Sequence, residues 1–339
     1  MAANNLANHT TLGVGGPAAK IIHATTEAEL ISAVKSADET NTPLLILGGG
    51  SNVLISDAGF SGTVVKVETT GNSFEIDACS GGTLTVSAGA DWDEFVLFTI
   101  EKGLANLESL SGIQGTVGGA PIQNIGAYGH EVSEVIARVR TFDRKLKEVK
   151  TFTASQCGFG YRSSIFKSEP ERYVILDVTF QLRLGEESLP IAYAELAKEL
   201  GVEIGARVAI TKVRDAVIKL RGAKGMLLGQ GIKSAGSFFM NPILNKDAAD
   251  KLPSDAPRWP MPDGRVKTSA AWLMERSGVS KGDQIAGAQI SPKHVLALSN
   301  AGNASAKDLI ELARSAQEKV RAKFGIVLQS EVQLVGLSL

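Results

Sequence analysis

Cysteine is scarce in this sequence, with only Cys79 and Cys157 in 339 residues. The two lie far apart and in no ligand-like spacing. Each therefore reads as a small buried residue, not as half of a disulfide or a metal ligand. Histidine is scarce as well: His9, His23, His130 and His294 are scattered, so no metal site is expected. Neither sign of charge is in excess, with 35 basic and 36 acidic residues and a net charge of -1. No lysine- or arginine-rich block is present, which argues against nucleic acid as a partner. No apolar run approaches the ~18 residues that a membrane helix needs. The opening MAANNLANHT has neither the basic start nor the apolar centre of a signal peptide. A protein of the cytoplasm, off the membrane, is expected.

What is present is a chain that is 44% hydrophobic, long enough for about two to three domains with proper cores. Residues 25–40, TTEAELISAVKSADET, read as a helix in which Thr26 and Glu29 form a capping box. The apolar run PLLIL fits a buried strand, followed by Gly48-Gly49-Gly50-Ser51-Asn52, a second strand VLIS and a third, TVVKV. Strands FEIDA and TLTVSAG come next. Asp91 and Glu94 then cap a helix, DWDEFVLFTIEKG, which Gly103 ends. Further strands are predicted at VIARVRTFD and RYVILDVTFQLRL, with the loop QCGFGYRSSIFKSE between them. Helices are predicted near 191–200 and over Thr211–Leu220, and residues 225–265 read as irregular. Helices at SAAWLMERSG and Ser305–Phe324 flank a strand HVLALSN, and IVLQSEVQLVGL alternates as a closing strand.

Two glycine segments carry the chemistry. In LILGGGSNVLIS, three glycines allow successive N–H groups to point inward as a nest for anionic oxygen, with Ser51 and Asn52 as added donors. The pattern is neither the dinucleotide fingerprint nor a Walker A loop, and a tight hairpin turn would explain it equally well. The second segment, SGIQGTVGGAPIQNIGAYG at 111–129, is too long and too glycine-rich for an ordinary connection. Gly115, Gly118 and Gly119 permit close backbone approach, and Gln123 and Asn124 supply amides. A loop packed on itself is the alternative. Two such loops on neighbouring α/β units favour one extended ligand, for which a dinucleotide such as FAD has the right shape.

Four motifs in order, LGGGSNVL at 47–54, SGIQGTVGGAPIQNIGAYG at 111–129, GFGYRSSIFK at 158–167 and AGSFFMNP at 235–242, resemble those of the UDP-N-acetylenolpyruvoylglucosamine reductases. The resemblance runs from NHTTLGVGG at 8–16 to QSEVQLVG at 329–336. It implies an α+β protein with a vanillyl-alcohol-oxidase-like (PCMH-type) FAD-binding fold. Two α/β subdomains, 1–67 and 68–222 with the strand 326–339, would bind FAD, and a third α/β domain, 223–325, would bind substrate. It also implies a monomer with non-covalent FAD. NADPH would reduce the flavin and leave. UDP-N-acetylglucosamine enolpyruvate would then take hydride at C3 and a proton at C2, giving UDP-N-acetylmuramate for the bacterial cell wall. Cofactor contacts are implied for Gly48, Gly49, Gly50, Ser51, Asn52, Val53 and Leu54. The second segment would add Ser111, Gly112, Ile113, Gly115, Thr116, Gly118, Gly119, Ala120, Gln123, Asn124, Gly126, Ala127 and Tyr128.

Hydride addition at C3 pushes charge toward the substrate carboxylate, so the site needs a fixed cation and a proton source. Arg162 supplies the cation, because guanidinium pairs bidentately with carboxylate and keeps its charge. Taken alone, it reads more readily as a solvated loop arginine, and the resemblance reverses that. By resemblance Ser237 is the acid at C2, since a weak acid suffices against a carbanion-like base, and Glu331 helps hold the enol. Without the resemblance, Ser237 reads as a turn residue and Glu331 as a solvent-facing strand carboxylate. Tyr128, Tyr161, Tyr193, Lys224, Asn241 and His294 complete the substrate candidates, Tyr193 lying in the insertion of the family's longer subtype. Two rivals remain: an oxidase of the same fold with histidine-tethered flavin, for which His130 is the nearest histidine, and a non-catalytic nucleotide-binding protein.

Overall fold

The computed structural model describes residues 4–77, 79–229 and 231–339. The chain divides into two compact units, each assembled from separate stretches. One comprises Met1–Pro17, Ser51–Phe60 and Gly229–Leu339, and the other Ala18–Gly50 and Ser61–Leu228.

The larger unit combines a small parallel sheet with an antiparallel one. Strand Leu44–Leu47 runs parallel to Phe60–Val67 in the register Leu44 to Thr63, and Ala18–Ala24 lies on the other side of Phe60–Val67. The predicted first helix is Glu27–Glu39, with the capping box of Thr26 and Glu29 formed, worth about 1 kcal/mol. Leu30, Ala33, Val34 and Ala37 make its buried face. The antiparallel sheet runs Glu148–Thr153, Ile136–Asp143, Tyr173–Leu184, Gly81–Ser87, Asn72–Asp77. The edge strand Glu148–Thr153 was not predicted, because its burial is EVKTFT with one buried residue, Phe152, and so little apolar alternation.

Helix Trp92–Glu101 begins where the Asp91 carboxylate accepts from the Glu94 N–H at 3.0 Å. It packs Trp92 and Phe95 on Phe180 of the sheet, with the Phe95 and Phe180 ring centroids 4.8 Å apart. Burying each such ring stabilises by roughly 1.5–3 kcal/mol. The Trp92 indole N–H donates to the Leu110 carbonyl at 3.0 Å, so its one polar atom is satisfied inside the core. Helices Ala194–Leu200 and Ile210–Ala223 share a separate cluster, in which Leu196, Val213 and Val217 pack with Tyr128 and Ile191.

In the second unit, the antiparallel sheet Lys233–Ser237, Ala297–Asn300, Ala288–Ile290, Gln284–Ile285 is covered by helix Ala306–Phe324. That helix buries Leu309, Ile310, Leu312, Ala313, Ala316 and Val320. Its N-terminus is held twice, by the Ser305 and Asp308 capping box and by Asp57, whose carboxylate accepts from the N–H groups of Ala306 and Lys307. A carboxylate there also meets the positive end of the helix dipole.

Three sequence expectations are corrected here. Residues 225–265 are more regular than read, since Ile243–Leu244 and Arg258–Pro260 both pair with Val266–Thr268. The closing alternation does not form one strand. Residues 329–331 lie against Phe238–Met240, and only Gln333–Val335 forms a strand, parallel to Val53–Ile55. Cys157 is buried as expected, but Cys79 is exposed. It stands in a turn where the Asp77 carboxylate accepts from the Cys79 and Ser80 N–H groups, so backbone demand and not packing fixes it.

Candidate active site

The two glycine segments meet backbone to backbone in the larger unit. A Cβ on Gly48 would lie 2.6 Å from Thr116 Oγ1, and one on Gly49 would lie 2.8 Å from Gly115 Cα. Glycine is thus required at Gly49 by close approach, and Gly50 and Gly115 have φ of +66° and +131°. The hairpin alternative for Gly48–Gly50 is excluded, because the strands on either side pair with different partners, Leu44–Leu47 with Phe60–Val67 and Val53–Ile55 with Gln333–Val335. The Gly48 carbonyl accepts from the Lys66 ammonium. Burial holds that ammonium below the usual lysine range, against the pull of Glu68.

The longer segment is fastened to the start of helix Trp92–Glu101. The Trp92 N–H donates to the Gly115 carbonyl at 3.1 Å, and the N–H groups of Val117 and Gly118 donate to Ala90 and Ala88 at 2.9 and 2.8 Å. Gly118 lies so close to Ala88 that a Cβ would sit 2.6 Å from the alanine methyl, while at Gly119 the nearest atom is 3.9 Å away. Gly119 therefore opens onto space beside the tightly packed turn, a place where a flat group fits. Ser111 is buried, its hydroxyl donating to the Glu108 carbonyl at 2.7 Å, and Ala120 is buried in the core. Gly126 and Ala127 pair with Glu131 and His130 as a short hairpin.

Tyr161 and Arg162 form the tip of a two-residue turn closed by reciprocal N–H to carbonyl bonds between Gly160 and Ser163, each 3.1 Å. The Arg162 guanidinium donates to the Gly126 carbonyl at 2.7 Å and lies 5.4 Å from the Tyr161 ring centroid. Asn124 locks this turn to the glycine segment. Its amide donates to Glu131 at 2.7 Å and to the Gly160 carbonyl at 3.1 Å, and its oxygen accepts from the Ser133 N–H. Asn124, Tyr128 and Arg162 are three of the seven non-glycine residues with positive φ among those described. Such strain persists only where the surroundings over-determine it, and its concentration here marks a functional region.

Three substrate candidates come together nearby. Tyr128 and Tyr193 meet edge to face with ring centroids 5.7 Å apart, and the Lys224 ammonium lies 5.8 Å from the Tyr128 centroid while pairing with Glu195. Burial pushes the Tyr128 phenol up to about 12, Arg221 opposing and Glu195 and Tyr193 reinforcing. It therefore stays a neutral hydrogen-bonding group. Burial also lowers Arg221, whose Nε donates to the Gly112 carbonyl at 3.0 Å.

The remaining candidates belong to the other unit. Ser237 follows Gly236, which has φ +71°, at an irregularity in the pairing with Ala297–Asn300. The Glu331 N–H donates to the Phe238 carbonyl at 2.8 Å, which sets Glu331 alongside the segment that carries Ser237. The Asn241 side chain accepts from the Ala270 N–H at 2.9 Å. The Asn52 amide donates to the Glu331 carbonyl at 3.1 Å. Val53 and Leu54 are buried strand residues, and His294 lies in the turn before Ala297, to whose N–H its carbonyl is bonded.

Sequence reasoning missed Lys66, Glu131, Glu195 and Arg221. Lys66 had a signal, a lone charge within the apolar strand TVVKV. Glu131, Glu195 and Arg221 had none, because their partners are set by tertiary contact.

Two glycine turns packed backbone to backbone in a mixed α/β unit, within the span matched by an FAD binding domain, place the chain among the FAD-binding flavoproteins. The FAD binding domain family matches residues 18–150, and the family described as UDP-N-acetylenolpyruvoylglucosamine reductase, C-terminal domain, matches residues 228–335. The reductase of Cutibacterium acnes is 52% identical over 340 residues, covering 98% of this chain and 90% of the relative. That of Thermobifida fusca is 46% identical over 348 residues, covering 98% and 97%. The crystal structure of the reductase from Thermus caldophilus superposes with a TM-score of 0.68 at 27% identity, covering 97% of each chain. The chain belongs to the UDP-N-acetylenolpyruvoylglucosamine reductase family, FAD-dependent oxidoreductases of peptidoglycan precursor synthesis that use NADPH as reductant. No helix among the described residues is long and apolar enough to cross a membrane.

Proposed function

We propose that Arg162, Ser237 and Glu331 carry the reduction of UDP-N-acetylglucosamine enolpyruvate to UDP-N-acetylmuramate in this chain, acting as a cytoplasmic monomer with FAD held non-covalently. The observation that carries the assignment is the bond from the Glu331 N–H to the Phe238 carbonyl, which seats a carboxyl group next to the Ser237 segment. Bound FAD supplies hydride received from NADPH. Gly48–Gly50, Ser51 and Asn52, with the segment from Ser111 to Tyr128, are the residues that would hold it. Arg162 holds the substrate carboxylate and stabilises the charge that develops there. The Ser237 hydroxyl gives its proton to C2, and Glu331 orients that hydroxyl and the enol oxygen. Tyr161, Tyr193, Lys224, Asn241 and His294 bind the nucleotide sugar, Lys224 as a cation for the diphosphate. In this reading residues 223–325 serve the sugar nucleotide, and 1–67 and 68–222 with segment 326–339 serve the cofactor.

The histidine-tethered rival is disfavoured by the surroundings of His130, whose ring Nδ1 lies 3.0 Å from the Glu134 carboxylate. The test is anaerobic. Holoprotein is reduced with NADPH, freed of NADP and mixed with UDP-N-acetylglucosamine enolpyruvate. Return of flavin absorbance with stoichiometric UDP-N-acetylmuramate supports the proposal. Absorbance that returns only with oxygen rejects it in favour of an oxidase.

A further inference from the structure

Gly112, near the start of the longer glycine segment, is held from both sides by charged groups. Its N–H donates to the Asp93 carboxylate at 2.6 Å, and its carbonyl accepts from Arg221 Nε at 3.0 Å. Asp93 is itself braced, because the Arg214 fork donates to both of its oxygens, at 2.7 and 2.9 Å. Burial would raise the Asp93 pKa, but Arg214 and the Gly112 N–H outweigh it, and the carboxyl stays ionised. Arg214, Ile218 and Arg221 fall at i, i+4 and i+7 of helix Ile210–Ala223 and so form one stripe. A Cβ on Gly112 would lie 2.9 Å from Ile218 Cδ1 and 3.3 Å from Arg221 Cδ, so this stripe faces the glycine segment.

Three charged side chains converging on a residue with no side chain bury little apolar area. What they fix is the direction of two peptide groups. Gly112 has φ +69°, and in a trans peptide the carbonyl of one residue and the N–H of the next point in opposite directions. With the Gly112 carbonyl turned to Arg221, the Ile113 N–H is turned away from Arg221.

We infer that Asp93 is a positioning residue for the cofactor: braced by Arg214 and opposed by Arg221, it sets the Gly112 peptides for the flavin nucleotide and governs how firmly FAD is retained. This rests on the reading above that the segment from Ser111 to Tyr128 holds FAD. The segment has other ties nearby, from the Trp92 N–H to the Gly115 carbonyl and from the Gln114 amide to the Met226 carbonyl at 2.9 Å. Loss of Asp93 should therefore loosen the start of the segment without releasing it.

The test is the rate of FAD release from holoenzyme, read as the rise in flavin fluorescence on dilution, at a temperature where far-UV circular dichroism shows the protein folded. Asp93→Ala should release FAD about 10–100-fold faster, the scale of one hydrogen bond to a charged group. Flavin reduction at saturating NADPH should stay within about twofold of wild type, the FAD still bound being seated as before. Arg214→Met should also quicken release, and adding it to Asp93→Ala should change nothing more, because Arg214 reaches Gly112 only through Asp93. Asp93→Asn keeps an oxygen for the Gly112 N–H but loses the charge, so its rate should fall between wild type and Asp93→Ala. It decides alone if Asp93→Ala fails to fold, a wild-type rate overturning the clamp. Folded Asp93→Ala that releases FAD at the wild-type rate, with only its melting temperature lowered, would overturn it as a purely structural contact, and so would additive effects in the double variant. Should Gly49→Ala retain FAD as firmly as wild type, the cofactor reading of the glycine segments falls. If Gly49 matters and Asp93 does not, only the clamp falls.

Discussion

The side-chain amide of Asn52, at the end of the first glycine loop, donates to the main-chain carbonyl of Glu331 at 3.1 Å. The Gln333 N–H returns the tie by donating to the Asn52 carbonyl at 3.0 Å. A loop read as a cofactor nest therefore also fixes the backbone of a proposed catalytic carboxyl. Asn52→Leu removes the side-chain donor and leaves the Glu331 carbonyl short of a partner. Stability should fall by about 1–3 kcal/mol, and kcat should fall while KM for NADPH moves little. Chemical denaturation and steady-state kinetics on the same preparation check both, and a variant with unchanged kcat would show that the tie is structural only.

Gly49 and Gly119 separate what close packing demands from what composition alone implies. At Gly49 the obstacle to a side chain is Gly115 Cα at 2.8 Å, which is backbone and cannot swing aside. At Gly119 the nearest atom is 3.9 Å away. Gly49→Ala should purify with little flavin, and Gly119→Ala should remain within about 0.5 kcal/mol of wild type. The 450 nm to 280 nm absorbance ratio, with melting curves, measures the difference.

Arg162→Lys keeps the positive charge but loses the planar fork, and a lysine amine cannot donate to the Gly126 carbonyl and to a carboxylate in the same geometry. Its turnover with UDP-N-acetylglucosamine enolpyruvate should drop by roughly 10²–10³-fold, the scale of losing one preorganised charge-stabilising donor. Reduction of the flavin by NADPH should proceed at the wild-type rate. Stopped-flow measurement of the two half-reactions distinguishes this from general misfolding, in which both would slow.

Asp143 is fully buried and its carboxylate faces Arg172 at 3.0 Å. Burial raises its pKa, but Arg172 and the N–H groups of Leu146 and Lys145 outweigh that, and the net shift is below the ordinary 3.8. A depressed carboxylate contributes stability that is present above its unfolded pKa and is lost as pH falls through the folded one. Arg172→Leu should cost about 1–3 kcal/mol at pH 7, because the buried carboxylate loses its cation and keeps only the N–H groups of Lys145 and Leu146. The gap between variant and wild type should narrow below about pH 4. Urea unfolding at a series of pH values follows it.

The thiols give a simple check on the two cysteine environments. Cys157 is buried, with its pKa pushed up to about 12, and its Sγ lies 3.3 Å from the Thr153 carbonyl. Cys79 is exposed. Native protein should show one rapidly reacting thiol toward an aromatic disulfide reagent, and a second only in denaturant. Two rapid thiols in native protein would mean that the Glu148–Thr153 edge opens readily.

Local signals explain what was legible. The Thr26, Asp91 and Ser305 caps lie beside apolar faces of helical period, and both helix position and direction follow from the residues themselves. The glycine segments were legible as sites because glycine in such density is entropically costly to order without a reason. Their mutual contact was not, since the Gly49 to Gly115 approach joins residues with no periodic relation. The closing segment IVLQSEVQLVGL shows the limit of a two-residue period. Alternation says that a stretch is extended with one face covered, but not that one partner covers all of it. Here Phe238–Met240 takes one part and Val53–Ile55 the next. Asn124 was visible as an amide in the glycine segment, yet its partners Glu131, Gly160 and Ser133 converge only in three dimensions.

Strand Val53–Ile55 finds its neighbour at Gln333–Val335, almost at the other end of the chain. On a ribosome these residues emerge early and must wait until nearly the whole chain has been made. Until then the strand edge of Val53–Ile55 lacks its native pairing partner. Production of this protein should therefore be limited by the lifetime of an unfinished chain, and slowing the last codons should harm yield more than slowing the first. It also means that a fragment starting at Gly229 would lack this strand, the Asp57 cap of helix Ala306–Phe324 and the core residues Leu12 and Val14, and would need both the stretch up to Pro17 and residues 51–60 supplied to fold.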